Sequence, residues 1–198
     1  MRTLYWLALL TLPVLAQDGF RPLFDGKTLN GWDGDPHLWS VKDGAIVGST
    51  DQTKIVHNTF LIYRKERFKD FVLYAEAKLR NHNSGIQFRS EALDEWVMRG
   101  YQADMAEGNW WGSIYDEKGT RGVLVNGWKD KGEKVVKPDG WNTIEVSCQG
   151  DHIQVRLNGT LTADLHDSAS AEGLIGLQLH AGPPMQVEFR NIRIKERK

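Results

Sequence analysis

The run WNTIEVSCQGDHIQVRLNGTLTADL at residues 141–165 alternates apolar and polar side chains twice over, with a turn after each pass. Ile144, Val146 and Cys148 fall on one side of the first pass. Gly150-Asp151 turns the chain, and Ile153, Val155 and Leu157 fall on one side of the second. Successive side chains of a strand point to opposite faces, so period two marks strands with one buried face. Asn158-Gly159 then supplies the two-residue signal of a tight hairpin and leads into Thr160 to Leu165.

The same period recurs on both sides of this run. Phe71, Leu73, Ala75, Ala77 and Leu79 share a face, and His37–Val41 pairs with Ala45–Gly48 across Lys42-Asp43-Gly44. Leu174 to His180 and Val187 to Ile194 close the chain. Helix-period stretches are nearly absent, and no repeat, linker or low-complexity tract appears. The pattern predicts an all-β chain folded as one β-sandwich of two antiparallel sheets.

Composition narrows the functional classes. Net charge is −1, with no basic stripe, which argues against nucleic acid or an anionic membrane surface as partner. Arg2, an apolar run from Leu4 to Leu15, and Val14 with Ala16 at the small-residue spacing of a cleavage site predict a signal peptide over residues 1–16. The mature domain is then 17–198, exported to the periplasm or the cell exterior. The apolar run is too short for a permanent span, and no cysteine follows it to carry a lipid anchor. Cys148 is the single cysteine, so no internal disulfide is available and the core must hold the fold. Seven of the eight tryptophans lie between Trp32 and Trp141. Some are expected in the core and some as platforms for a sugar ring.

Three strands carry paired polar residues at period two: Gln87 with Arg89, Gln102 with Asp104, and Gln178 with His180. If these strands are neighbours, one polar surface gathers an arginine, an aspartate, a histidine and several amides. Such a set suits a polyhydroxylated ligand, although plain solvated strand faces would show the same period. The irregular stretch Ala106–Lys137 adds Trp110, Trp111, Tyr115 and Arg121, on a loop-rich segment of the kind that often carries function.

The chain also resembles a known family. Gly19 to Trp32 (GFRPLFDGKTLNGW), Asn83–Arg89 (NSGIQFR), Gly100–Asp104 (GYQAD), Gly112–Asp116 (GSIYD), Gly140-Trp141-Asn142, Leu157-Asn158-Gly159 and Gln178-Leu179-His180 follow the order of bacterial 3-keto-disaccharide hydrolases. Many relatives carry a glutamate and a glutamine where this chain has Gln102 and Asp104. The resemblance implies a concanavalin A-like jelly roll and action on glycosides oxidised at sugar carbon 3.

A ketone there acidifies the hydrogen on carbon 2. Removal of that proton, stabilisation of the enolate, loss of the C1 oxygen and hydration would give net hydrolysis. That route needs a base, an acid and oxyanion donors rather than two opposed carboxylates. His180 is the first candidate base, with Asp104 either orienting it or acting as base itself, and Tyr115 is a candidate acid. Arg89, Gln87, Gln102, Gln178, Trp110, Trp111 and Arg121 are candidate substrate contacts. Asp104, Glu107 and His180 lack zinc-type spacing, and neither metal nor cofactor is expected. The competing reading is a non-catalytic carbohydrate-binding module on the same fold.

Overall fold

The computed structural model describes residues 19–197, so the expected signal peptide lies outside the described residues. Fifteen strands follow in order: β1 (Arg21–Pro22), β2 (Trp32–Asp33), β3 (Trp39–Lys42), β4 (Ala45–Ser49), β5 (Thr59–Phe68), β6 (Phe71–Leu79), β7 (Asn83–Ala92), β8 (Met98–Ala106), β9 (Asn109–Glu117), β10 (Gly122–Val125), β11 (Asn142–Gln149), β12 (His152–Leu157), β13 (Thr160–His166), β14 (Gly173–Leu179) and β15 (Gln186–Glu196). They form two antiparallel sheets packed as a concanavalin A-like jelly roll. One runs β13-β12-β11-β6-β15-β4-β3, with β1 beside β15. The other runs β10-β9-β8-β7-β14-β5-β2.

The stretch 141–165 forms β11, β12 and β13 in the predicted register, with Val146 opposite Val155 and Cys148 opposite Ile153. Ile144, Val146, Cys148, Ile153, Val155 and Leu157 all lie in the core between the sheets. Burial pushes the Cys148 thiol up to about 12, so it remains an uncharged, inert packing group. From the second sheet, Ile86, Phe88, Tyr101, Ala103, Met105, Leu177 and Leu179 fill the same core. Alternation then sends their neighbours to the sheet's far face.

That far face is divided. At one end Phe60, Ile62, Met98 and Leu174 make a second apolar cluster against Trp96 and Ala92. At the other end the face is polar and open. The apolar half fixes where a ligand can sit, because the strand faces beneath it are already covered.

Candidate active site

β14, β7, β8 and β9 are consecutive neighbours in the second sheet, which brings the polar pairs together. Gln87 lies opposite Gln102, and Gln102 opposite Tyr115. A cavity of about 640 Å³ opens over this area, within the size range of small-ligand sites. Its floor and walls include Gln102, Asp104, Gln178, Tyr115, Trp110 and His180, all expected from the sequence, together with Asn58, Asn83, Glu117 and Lys118.

The buried polar groups are joined in one directed chain of hydrogen bonds. Ser90 Oγ donates to Gln87 Oε1 (2.6 Å), and Gln87 Nε2 donates to Gln102 Oε1 (2.9 Å). Gln102 Nε2 donates to Asp104 Oδ1 (3.0 Å) and to Gln178 Oε1 (3.3 Å). Gln178 Nε2 donates to Glu117 Oε2 (3.3 Å), and Asn58 Nδ2 donates to Glu117 Oε1 (3.1 Å). Asn58 is itself held by the Ala181 N–H at 2.9 Å. An ionised carboxylate can only accept, so Glu117 anchors the direction and every amide upstream follows. The chain therefore delivers its donors to the two carboxyl groups, Asp104 and Glu117.

Gly85 makes this arrangement possible. It lies opposite Asp104 in the ladder, and a Cβ there would stand 2.4 Å from the Gln102 amide carbon. Any side chain at that position would push Gln102 out of the chain.

The two carboxyls differ in environment. Burial raises the Asp104 pKa from 3.8 to about 7; the neighbouring Glu117 charge adds to the rise, while the Gln102 hydrogen bond opposes it. Tyr115 is also raised, first by burial and then by the charges of Glu117, Asp104 and Asp116, which keeps its hydroxyl protonated. The site therefore holds a carboxyl that exchanges protons near neutrality beside a phenol that retains its own.

His180 does not pair with Asp104. Its Nδ1–H donates to the Ala181 carbonyl at 2.6 Å, and the His82 ring packs edge-on at 4.8 Å between centroids. The carbonyl can only accept, so Nδ1 carries a proton and Nε2 is the ring nitrogen left to serve the cavity. Asp104 is thus free of the orienting role considered for it.

Three expected contacts lie elsewhere. Arg89 sits at a bulge: its φ is 47° and the β7–β8 ladder slips between Phe88 and Glu91. The extra residue turns the side chain away from the Gln87 face. Its guanidinium donates to the Lys69 and Gly150 carbonyls and pairs with Asp70 at 3.0 Å. Trp111 is in the core, because Trp110 (φ 63°) and Gly112 (φ 81°) both take left-handed backbone where the β8–β9 ladder slips. Arg121 is tied to Asp116 and Asp167 and lines a separate cavity of about 520 Å³ with Arg89, Arg99 and Tyr101. Gln87 is fully buried beneath Gln102 and supports the site from behind. Glu107 accepts the His82 backbone N–H and is not among the cavity's lining groups.

Sequence reasoning missed Glu117 and Asn58. Glu117 was within reach, since it continues the period-two face of Tyr115. Asn58 precedes β5 on an aperiodic loop, and no local signal marks it.

Comparisons with known proteins follow the same direction. A 3-keto-disaccharide hydrolase from Bacteroides thetaiotaomicron is 36% identical over 93 residues, covering 42% of this chain and 31% of that protein. The matched stretch is thus about a third of that relative's length. A crystal structure from Parabacteroides distasonis ATCC 8503, named as a candidate glycosyl hydrolase, superposes with a TM-score of 0.68 at 25% identity. The match covers 90% of this chain and 99% of that one. A Bacillus subtilis protein described as having a galectin-like fold reaches a TM-score of 0.62 at 12% identity, covering 89% and 94%, a likeness of fold alone. Residues 19–195 match the family described as the 3-keto-alpha-glucoside-1,2-lyase-like domain, and this chain belongs to it.

Proposed function

We propose that the protein cleaves the glycosidic bond of glycosides bearing a ketone at sugar carbon 3, by removing the proton from carbon 2, expelling the C1 oxygen and hydrating the product. The observation that carries this reading is the convergence of Asp104, Tyr115 and His180 on one cavity, with Asp104 exchanging its proton near pH 7. A base poised near the working pH is the most effective one.

The Asp104 carboxylate takes the C2 proton, and the electron pair passes into the enolate of carbons 2 and 3. Spare N–H groups of Gln178 and Asn58, and the Lys118 ammonium, are the donors available to hold that enolate oxygen. Collapse of the enolate forms the C1–C2 double bond and breaks the bond from C1 to the leaving oxygen, which Tyr115 protonates. In the second half, His180 Nε2 takes a proton from the water that adds to C1, and Asp104, its proton exchanged with solvent once the leaving group has gone, protonates C2; the His180 proton passes through solvent to Tyr115 and resets the site. One water is consumed overall. Export of the mature domain is part of the same proposal and rests on the apolar leader sequence at residues 1–16.

Incubating the protein with a 3-keto-disaccharide and with its unoxidised parent tests the activity. Release of the leaving sugar from the keto form alone, with transient enone absorbance, is the expected result. Tight binding of the keto form with no release would make the protein a carbohydrate-binding module instead.

A further inference from the structure

Among the described residues three large apolar side chains stand well exposed: Val56 at 85%, Val123 at 39% and Leu93 at 36%. Val56 and Val123 both line the Asp104 cavity, and the Trp110 indole lines it with them. Single exposed apolar residues need no explanation. Two of three on the rim of one polar-floored cavity is a different pattern, because it gives the site a wet bottom and a greasy mouth.

We propose that this rim is a subsite for a planar, apolar leaving group, so that the preferred substrates are aryl glycosides rather than disaccharides. The proposal rests on the reading of the cavity as a glycoside-cleaving site and adds the class of aglycone. Strand pairing supplies the direction. Val123 is the cross-strand partner of Tyr115, so the two side chains share one face. An aglycone whose oxygen is protonated by Tyr115 therefore departs over Val123. Val56 lies two residues before Asn58, the residue that clamps Glu117, and so borders the same floor.

A second sugar would set hydroxyl groups against these valines, where nothing replaces the water they lose. Its natural course would lie across the Lys118–Gly119 turn, which both cavities share, into the charged cavity of Arg99, Asp116 and Arg121. The two routes make opposite predictions about the leaving group.

The test is a calorimetric titration of the protein with 4-nitrophenyl glucoside, methyl glucoside and a glucosyl-glucose, each in both anomers, followed by kinetics on their 3-keto forms. The aryl glucoside is expected to bind roughly tenfold more tightly than methyl glucoside, with a more negative heat-capacity change from apolar burial. In the double variant Val56→Ser/Val123→Ser the aryl-to-methyl affinity ratio should fall about tenfold. Both positions are exposed, so folding should be unaffected. Tighter binding of the disaccharide than of the aryl glucoside, or an unchanged ratio in the double variant, overturns the subsite. Failure to cleave any 3-keto-glycoside overturns the activity alone, because the binding comparison decides the subsite without it.

Discussion

Asp104→Asn is expected to lower turnover on a 3-keto-glycoside by roughly 10²–10⁴-fold while leaving the fold intact, the usual contribution of a positioned proton-transfer group. The amide keeps an oxygen to accept the Gln102 hydrogen bond, so the chain of amides can stand, but no group remains to take the C2 proton. In the wild type, kcat/KM should rise through pH 7 as Asp104 ionises.

The same variant should change stability in a pH-dependent way. The folded protein holds the Asp104 proton until about pH 7, whereas an ordinary aspartate releases it near 3.8. The protonated carboxyl thus favours folding fully below about pH 4, and that contribution is lost as pH rises toward 7. Above pH 7 the native state carries a buried charge that asparagine does not. Thermal melts should therefore place Asp104→Asn above the wild type at pH 8, with the gap closing by pH 4. A fully active variant would show that Asp104 is not the base, and one destabilised at pH 8 would show that burial does not penalise its charge.

Arg89→Met is expected to do the reverse, removing stability and sparing chemistry. The Arg89 side chain is 1% exposed, and its guanidinium satisfies two backbone carbonyls and the partly buried Asp70. Truncation leaves the two carbonyls without that donor and Asp70 with only the Gly150 N–H, for a loss of about 2–4 kcal/mol. Denaturant melts would register it, while kcat and KM of the folded fraction should stay within about threefold of the wild type. An unchanged melt with a raised KM would return Arg89 to the ligand site.

The contrast between these two residues marks what period two can and cannot reveal. Alternation placed Gln102, Asp104, Gln178 and the core faces of β11 and β12 on the right faces, because no slip falls within the runs that carry them: Asp104 to Gln102 against Gly85 to Gln87, Gly176 to Leu179 against β5, and β11 against β12. It misplaced Arg89, because that residue sits at a bulge, and one extra residue inverts parity from there on. Trp111, expected on an irregular loop-rich stretch, lies instead on β9 beside a second register slip. A bulge is set by how two distant strands pair, so Arg89 and Trp111 carry no local mark of it. The face of Glu117 was legible from Tyr115 by period two, but its role was not. Glu117 acquires its role through Gln178 and Asn58, which lie 61 and 59 residues away along the chain.

The chemistry at carbon 2 is tested most directly by running the cleavage in D₂O and locating deuterium in the released sugar. Proton abstraction, elimination and hydration predict one deuterium at carbon 2 of the 3-keto product, and a primary isotope effect when carbon 2 of the substrate is deuterated beforehand. Cleavage that leaves carbon 2 unlabelled, at an unchanged rate for the deuterated substrate, would mean that the bond breaks by direct displacement at carbon 1, without the enolate that Asp104 is proposed to form.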